Sequence, residues 1–312
     1  MRPSAVLLLL IVAASGSAAA HGRPAAVSLA ARFWEQAMPG TLMPEAIADL
    51  VKKGNDHAPG TEHYPALPGI SVCGAWTGMC TASLAAATGI FFHKAQLRVG
   101  STMTLSFPAE PEPPILPHAV AENLPFANLT AVLSTFNIPP GSTEARHVAA
   151  TLRLCRSPPH PGELKACAAS LETTVRVAVD MLGAADHGAW WAATSEIPAS
   201  GGLPRQLYGV QGVTELDGDR FVGCHKVPFP YRVYQCHMTA GVSDKVYVVS
   251  LRGLGGGGGP NAEMLAFCHL DTAKWSPAHP AFEVLRVRPG TPVCHFMPYA
   301  NPVFGKKKAT KP

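Results

Sequence analysis

Two hydrophobic rhythms divide this chain. From Trp190 onward, apolar residues come in short runs rich in β-branched and aromatic types: "WWAATSEI", "RQLYGV", "RFVGCHKV", "YRVYQCHM", "KVYVVSLRG", "EMLAFCHLD", "FEVLRVRPG" and "TPVCHFMP". Gly, Asp, Asn and Pro separate most of these runs, so each is predicted to be a strand. Upstream, the spacing changes to three and four residues. "GSTEARHVAATLRLC" predicts a helix capped near Ser142 or Thr143, with Val148, Leu152 and Cys155 on one face. "GELKACAASLETTVRVAVDMLG" predicts a second, with Leu164, Cys167, Leu171 and Val175 in helical register. Between residues 97 and 107 the residue types again suit a strand, and "PAEPEPPILP" after it excludes any regular element, because each proline fixes φ and removes an amide donor.

Nearer the N-terminus, "ARFWEQAMPGTLMPEAIADLVKKG" places Phe33, Trp34, Met38, Met43 and Ile47 around two prolines. This pattern predicts two short helical pieces that dock on another surface. Residues 54–72 read as a linker. Helices followed by many strands predict an α+β fold: a mainly antiparallel β domain with a disulfide-tied helical pair, preceded by a short docking segment. No repeat of fixed period is present.

Residues 1–20 change the picture of compartment. Arg2, an apolar run from Ala5 to Ala14 and then small residues form the layout of a secretory signal peptide, with cleavage expected after Ala20. The chain is expected to be secreted, and Asn128-Leu129-Thr130 is a candidate glycosylation sequon. A net charge of +4 over 312 residues, without a basic stripe, gives no reason to expect a nucleic-acid partner. The basic tail, with Lys306, Lys307, Lys308 and Lys311, is expected to be solvated, with weak attraction to a polyanion such as pectin as the sharper alternative.

Secretion also makes disulfides the default for the eight cysteines. Sequence alone leaves 105 pairings open. Cys73 with Cys80, and Cys155 with Cys167, look local, each loop contributing about 2–3 kcal/mol. That leaves Cys224, Cys236, Cys268 and Cys294, each followed directly by a histidine: His225, His237, His269 and His295. In a strand, neighbouring side chains point to opposite faces. The simplest arrangement therefore sets sulfurs on one side, joined as two disulfides, and imidazoles on the other, converging in pairs or all together.

Such a set could be a plain disulfide framework with incidental histidines. A zinc finger fits poorly, since its ligands need closer spacing and free thiols. A histidine site for a redox metal such as copper is the sharper reading, because imidazole nitrogen is the strong donor left once sulfur is oxidised. The Gly253, Gly255 and Gly258 match to GxGxxG precedes Pro260 and opens no helix, so it is set aside. GxSxG, HExxH and P-loop motifs are missing, and no catalytic residue is assigned.

The four Cys-His pairs, separated by ten, thirty and twenty-four residues, resemble the signature of the plant BURP domain. Phe91-Phe92, "GELKACAASLE" and "CHLDTAKWSPAHPAFEVLRVRPGTPVCHF" resemble its opening, centre and end, and "FWEQAMPGTLMPEAI" resembles the segment that often follows the signal peptide. The resemblance implies a N-terminal segment and linker over 21–89, the domain over 90–300 and a tail over 301–312. The thirty-residue spacing that leads to the third Cys-His pair is longer than usual, with Gly255–Gly259 supplying the excess, and the linker is short and unrepeated.

Some members of this family are peptide cyclases that bind copper and crosslink a Trp or Tyr side chain of a peptide. Carried over, His225, His237, His269 and His295 would be copper ligands, and Cys224, Cys236, Cys268 and Cys294 structural. Other members are wall-associated proteins of seed, pollen wall or stress response, or the non-catalytic partner of a pectin-degrading enzyme. Trp34, Tyr64 and Trp76 are the upstream aromatics here, and none recurs as a multiplied core peptide. The expectation is therefore a secreted cell-wall or apoplast protein whose status as an enzyme is open. The alternatives are a copper-dependent cyclase acting on a separate peptide, or a partner subunit of a pectin-degrading enzyme.

Overall fold

The computed structural model describes residues 28–307 apart from 57–63, 76–77, 125, 127, 184–189, 199–201, 240–243 and 256–258. The expected signal peptide, Trp76 and the tail beyond Lys307 lie outside the described residues. Eight helices are described: α1 (Leu29–Ala37), α2 (Glu45–Asp56), α3 (Ala82–Thr88), α4 (His118–Ala121), α5 (Leu129–Thr135), α6 (Thr143–Arg156), α7 (Leu171–Leu182) and α8 (Pro280–Leu285). The strands are β1 (Phe91–Phe92), β2 (Thr102–Pro108), β3 (Glu163–Ala168), β4 (Trp190–Ala193), β5 (Gly202–Glu215), β6 (Phe221–Lys226), β7 (Tyr234–Thr239), β8 (Lys245–Gly253), β9 (Asn261–His269), β10 (Val293–Phe296) and β11 (Val303–Lys306). None of the helices is long and apolar enough to cross a membrane, among the described residues.

The strands form two sheets, ordered β1-β10-β9-β8-β5-β2 and β3-β7-β6-β11-β4. Every pairing in them is antiparallel. The α+β, mainly antiparallel expectation therefore holds. Period-two alternation sorts the side chains into three layers. Phe221, Phe267, Leu265, Val246 and Val303 meet between the sheets. The outer face of the six-stranded sheet packs Met264, Ala266 and Cys268 against Ala85 and Phe282 of α3 and α8. On the other outer face, Val222, Cys224, Cys236 and Phe304 pack against Val175 and Leu182 of α7 and Trp34, Met38 and Leu50 of the N-terminal helices. The segment read as docking thus lies in the same core as the five-stranded sheet.

Helix α6 starts where the sequence predicts, with Ser142 Oγ accepting from Ala145 N at 3.0 Å. Three local expectations need correction. The second helix begins at Leu171, not near Leu164: Glu163–Ala168 is a strand paired with β7. Cys167 therefore ties helix α6 to strand β3, and the expected helical pair is a helix–strand tie. Two local signals decide this. Gly162 turns the chain at φ +82, and Ser170 with Thr173 forms a capping box that starts α7 afresh. "FEVLRVRPG" is not a strand. His279 caps α8, Pro280 opens it, and Arg286 ends it in the left-handed region. Finally, Val303–Lys306, assigned to the tail, is strand β11 between β6 and β4, with Lys306 Nζ 5.5 Å from the Trp190 ring centre.

The proline-rich stretch is irregular, as expected, and is pinned by charge. Arg232 Nε donates to Pro113 O at 3.2 Å, Lys53 Nζ to Glu112 O at 2.7 Å, and Lys226 Nζ pairs with Glu110 at 2.9 Å and Glu112 at 3.0 Å. A proline segment lacks the amides to join a sheet, so side chains from its neighbours hold it instead.

Candidate metal centre

Cys224 faces Cys236 across β6 and β7, and Cys268 faces Cys294 across β9 and β10; both pairs are disulfides. Cys73–Cys80 and Cys155–Cys167 complete the set, with no free cysteine among the described residues. The sulfurs do not share one side, as the simplest arrangement had it. They lie on the two outer, helix-covered faces, one pair per sheet. Each following histidine consequently turns inward, and the two sheets deliver two imidazoles each to the layer between them.

These four rings are neighbours in a closed circuit. Ring centres are 5.2 Å apart for His225 and His237, 6.1 Å for His237 and His269, 5.5 Å for His269 and His295, and 5.5 Å for His295 and His225. Phe267 lies against His295 and His269 at 5.9 and 4.8 Å. Burial, reinforced by the neighbouring imidazoles, holds His225 and His295 well below the usual histidine pKa, so both are neutral with a lone pair available.

The Nδ1 atoms have different surroundings. His237 Nδ1 is 3.1 Å from Glu163 Oε1, and His295 Nδ1 is 3.2 Å from its neighbour Phe296 O. His269 Nδ1 lies 3.3 Å from Asp244 Oδ1, within ion-pair distance but without hydrogen-bond alignment. His225 Nδ1 is buried with no hydrogen-bond partner. For Glu163, burial raises the carboxyl pKa, but the hydrogen bond and charge of His237, with the His160 amide, outweigh it and hold it at about 2.

Gly74 packs on His225. A Cβ there would lie 2.3 Å from His225 Cε1 and 2.4 Å from Nδ1, so only glycine allows this approach. Asn301 sets the distance: its Oδ1 accepts from Lys226 N at 2.7 Å while its Nδ2 donates to Ser71 Oγ at 3.0 Å. The turn closed by Cys73–Cys80 is thereby a wall of the cluster.

A cleft of about 140 Å³ opens on the cluster and is lined by His237, His269 and His295, by Phe91, Trp275 and His279, and by Glu163. Its rim residues His160, Pro161 and Lys274 are exposed. Trp275 stands 5.0 Å from His269 and 4.5 Å from His279. His279 Nδ1 accepts from Ala281 N at 3.1 Å, and burial, with His269 and His160 nearby, lowers its pKa to about 3.

Four imidazoles, two of them (His225 and His269) with an Nδ1 that makes no hydrogen bond, are a donor set suited to copper. Among the described residues, no three His, Cys, Asp or Glu side chains already have their donor atoms gathered as a metal ion requires. The expected sequon residue Asn128 is exposed and caps α5 through Oδ1, an atom other than the Nδ2 that carries N-glycans.

Sequence reasoning missed Gly74, Glu163, Asp244, Trp275 and His279. For Glu163 a signal existed: in "ELKACA", charged and apolar residues alternate, but the wider helical spacing obscured it. Gly74 and Asp244 carry no such signal, since their roles come from contacts distant in sequence.

The BURP domain family model matches residues 90–306. The chain is 40% identical over 258 residues to BURP domain-containing protein 13 of rice, covering 81% of this chain and 61% of that protein. It is 38% identical over 260 residues to Protein RAFTIN 1A of wheat, covering 81% and 64%. With BURP domain-containing protein 5 of rice it shares 33% identity over 298 residues, 90% of this chain and 88% of that one. It thus spans less than two thirds of the length of the first two relatives. With two sheets that place all four Cys-His pairs alike, sulfur outward and imidazole inward, and with this match over most of its length, the chain belongs to the plant BURP-domain family.

Proposed function

We propose that this protein acts outside the cell, in the plant cell wall or apoplast, as a copper-binding protein that oxidatively crosslinks a Trp or Tyr side chain of a separate peptide. The observation that supports this reading is the gathering of four imidazoles, from four strands of two sheets, with three of them lining an open cleft. A framework held by disulfides alone has no need to bury four histidines together. Each buried imidazole loses hydration, and an unpartnered Nδ1 costs about 1–3 kcal/mol. A bound cation offsets that cost.

His225, His237, His269 and His295 would hold the copper, which when bound supplies one-electron oxidation. The chain's own residues do the rest. Phe91 and Trp275 give the cleft apolar walls suited to an aromatic side chain. Gly74 covers the His225 ring and Phe267 packs on those of His269 and His295, which limits water at the imidazoles. A separate peptide is the better substrate than the chain itself. Trp34 is buried and donates to Thr41 O at 2.8 Å, so it cannot reach the cleft without unfolding its helix. The setting in seed, pollen wall or stress response is carried over from the family.

The test is aerobic incubation of the purified chain with copper and Trp- or Tyr-bearing peptides, read by mass spectrometry. Loss of two hydrogen atoms from a peptide, abolished by His237→Ala or His269→Ala, supports the reading. Copper uptake without peptide oxidation sinks the enzymatic part and favours a non-catalytic wall role. Co-purification with a pectin-degrading enzyme, and salt-sensitive binding to pectin, would then identify a partner subunit.

A further inference from the structure

We infer that Glu163 and Asp244 are positioning residues of the histidine cluster, each carboxylate taking the Nδ1 side of one imidazole and leaving Nε2 as its metal-binding nitrogen. The inference rests on the copper reading and concerns two acids outside the Cys-His pairs. Glu163 starts β3, the strand next to β7, and its Oε1 lies 3.1 Å from His237 Nδ1. Its other oxygen, Oε2, accepts from His160 N at 3.0 Å, so the carboxylate is fixed before it meets the ring. Asp244 leads into β8, whose Lys245 faces Cys268, and lies 3.3 Å from His269 Nδ1 with a side chain only 7% exposed.

A neutral imidazole that donates Nδ1–H to a carboxylate keeps its lone pair on Nε2, so the partner selects the tautomer and the orientation of the ring. Charge points the same way. A dication among four imidazoles in a layer between two sheets is poorly solvated, and two adjacent carboxylates balance it. Asp244, conversely, is a buried acid whose neighbouring ring is not aligned for a hydrogen bond, an expensive arrangement that a nearby cation relieves.

The two acids are not distributed evenly. His237 and His269 line the cleft and each has one. His225 packs on Gly74, and His295 has its neighbour's carbonyl instead. Negative charge is thus set behind two of the three cleft-lining rings, where substrate would approach, while the third, His295, has a carbonyl in that place.

The test uses the full secreted chain and the variants Glu163→Ala, Glu163→Gln and Asp244→Asn, each checked for intact disulfides and folded circular dichroism. Copper(II) affinity is measured by competition with a chromophoric chelator. Loss of either carboxylate is expected to weaken binding about ten- to a hundredfold. Affinities within about twofold of wild type in all three overturn the inference. A second readout needs no metal: nitrogen NMR of the apo protein at about pH 8, where ordinary imidazole is neutral, reports the tautomer. His237 is expected in the Nδ1–H form in the wild type and to lose that preference in Glu163→Ala. A wild type in the Nε2–H form overturns the inference even if copper binds. A wild type that binds no copper yet keeps Nδ1–H sinks the copper reading and leaves the carboxylate–imidazole positioning standing.

Discussion

Replacing Glu112 by alanine tests how the proline-rich segment is held. Its carboxylate pairs with Lys226 Nζ at 3.0 Å and with Arg232 Nη2, and the Arg232 side chain is 1% exposed. Lys226 would keep Glu110 at 2.9 Å. The Arg232 guanidinium would keep the Pro113 carbonyl at 3.2 Å from Nε and the Tyr234 ring at 5.4 Å, with Nη1 already lacking a hydrogen bond. The loss therefore falls on one buried guanidinium, and stranding a buried charge costs about 3–5 kcal/mol. With a urea slope of about 3 kcal/mol/M for a chain of this size, the midpoint should fall by roughly 1–1.7 M. Copper uptake should be unchanged in the folded variant, because Lys226 points to the face opposite His225.

The same pair has a pH signature. Burial raises the Glu112 carboxyl pKa, but Arg232 and Lys226 outweigh it and leave the folded value lowered. A lowered folded value means the contribution is complete above the unfolded pKa of about 4.3 and is lost as pH falls through the folded one. The stability gap between wild type and Glu112→Gln should thus be flat from neutral pH to about 5 and narrow below that. A loss under about 1 kcal/mol in Glu112→Ala, with no pH-dependent gap, would refute the argument and show that Arg232 rehydrates as surface pairs do.

Three further outcomes are expected. Gly74→Ala forces its methyl into the His225 ring, so it should destabilise by about 1–3 kcal/mol and weaken copper uptake; a silent substitution in both assays would contradict the packing. Removing Cys268–Cys294, whose cysteines are 26 residues apart, should cost about 3.5 kcal/mol, against about 2.5 for Cys73–Cys80 with 7, measured by denaturation of paired serine variants. Trp34→Ala should cost about 3–5 kcal/mol if the segment before the matched domain is integral to its core, whereas an independent segment would leave the domain's unfolding midpoint in place.

Much of this protein was legible in the chain alone, because strand alternation is a local property. It separates each Cys from its His without reference to the rest of the molecule, and the turn residues around β6 to β9 mark those strands directly. The cap at Ser142 was readable for the same reason. Local signals failed where two periods overlapped. Leu164, Cys167, Leu171 and Val175 fit a helix in spacing, yet Ser170 starts a new element between them. Pro280 opens a helix in a stretch whose alternation suggested a strand.

What only the tertiary structure decided is which sheet each pair belongs to, and hence that the two disulfides lie on opposite outer layers and the imidazoles meet between them. The same packing brings Glu163, Asp244 and Gly74 to the rings of His237, His269 and His225 from 74, 25 and 151 residues away along the chain. Spacing along a sequence specifies the side of a strand on which a residue stands; only sheet order and layer packing specify what it faces.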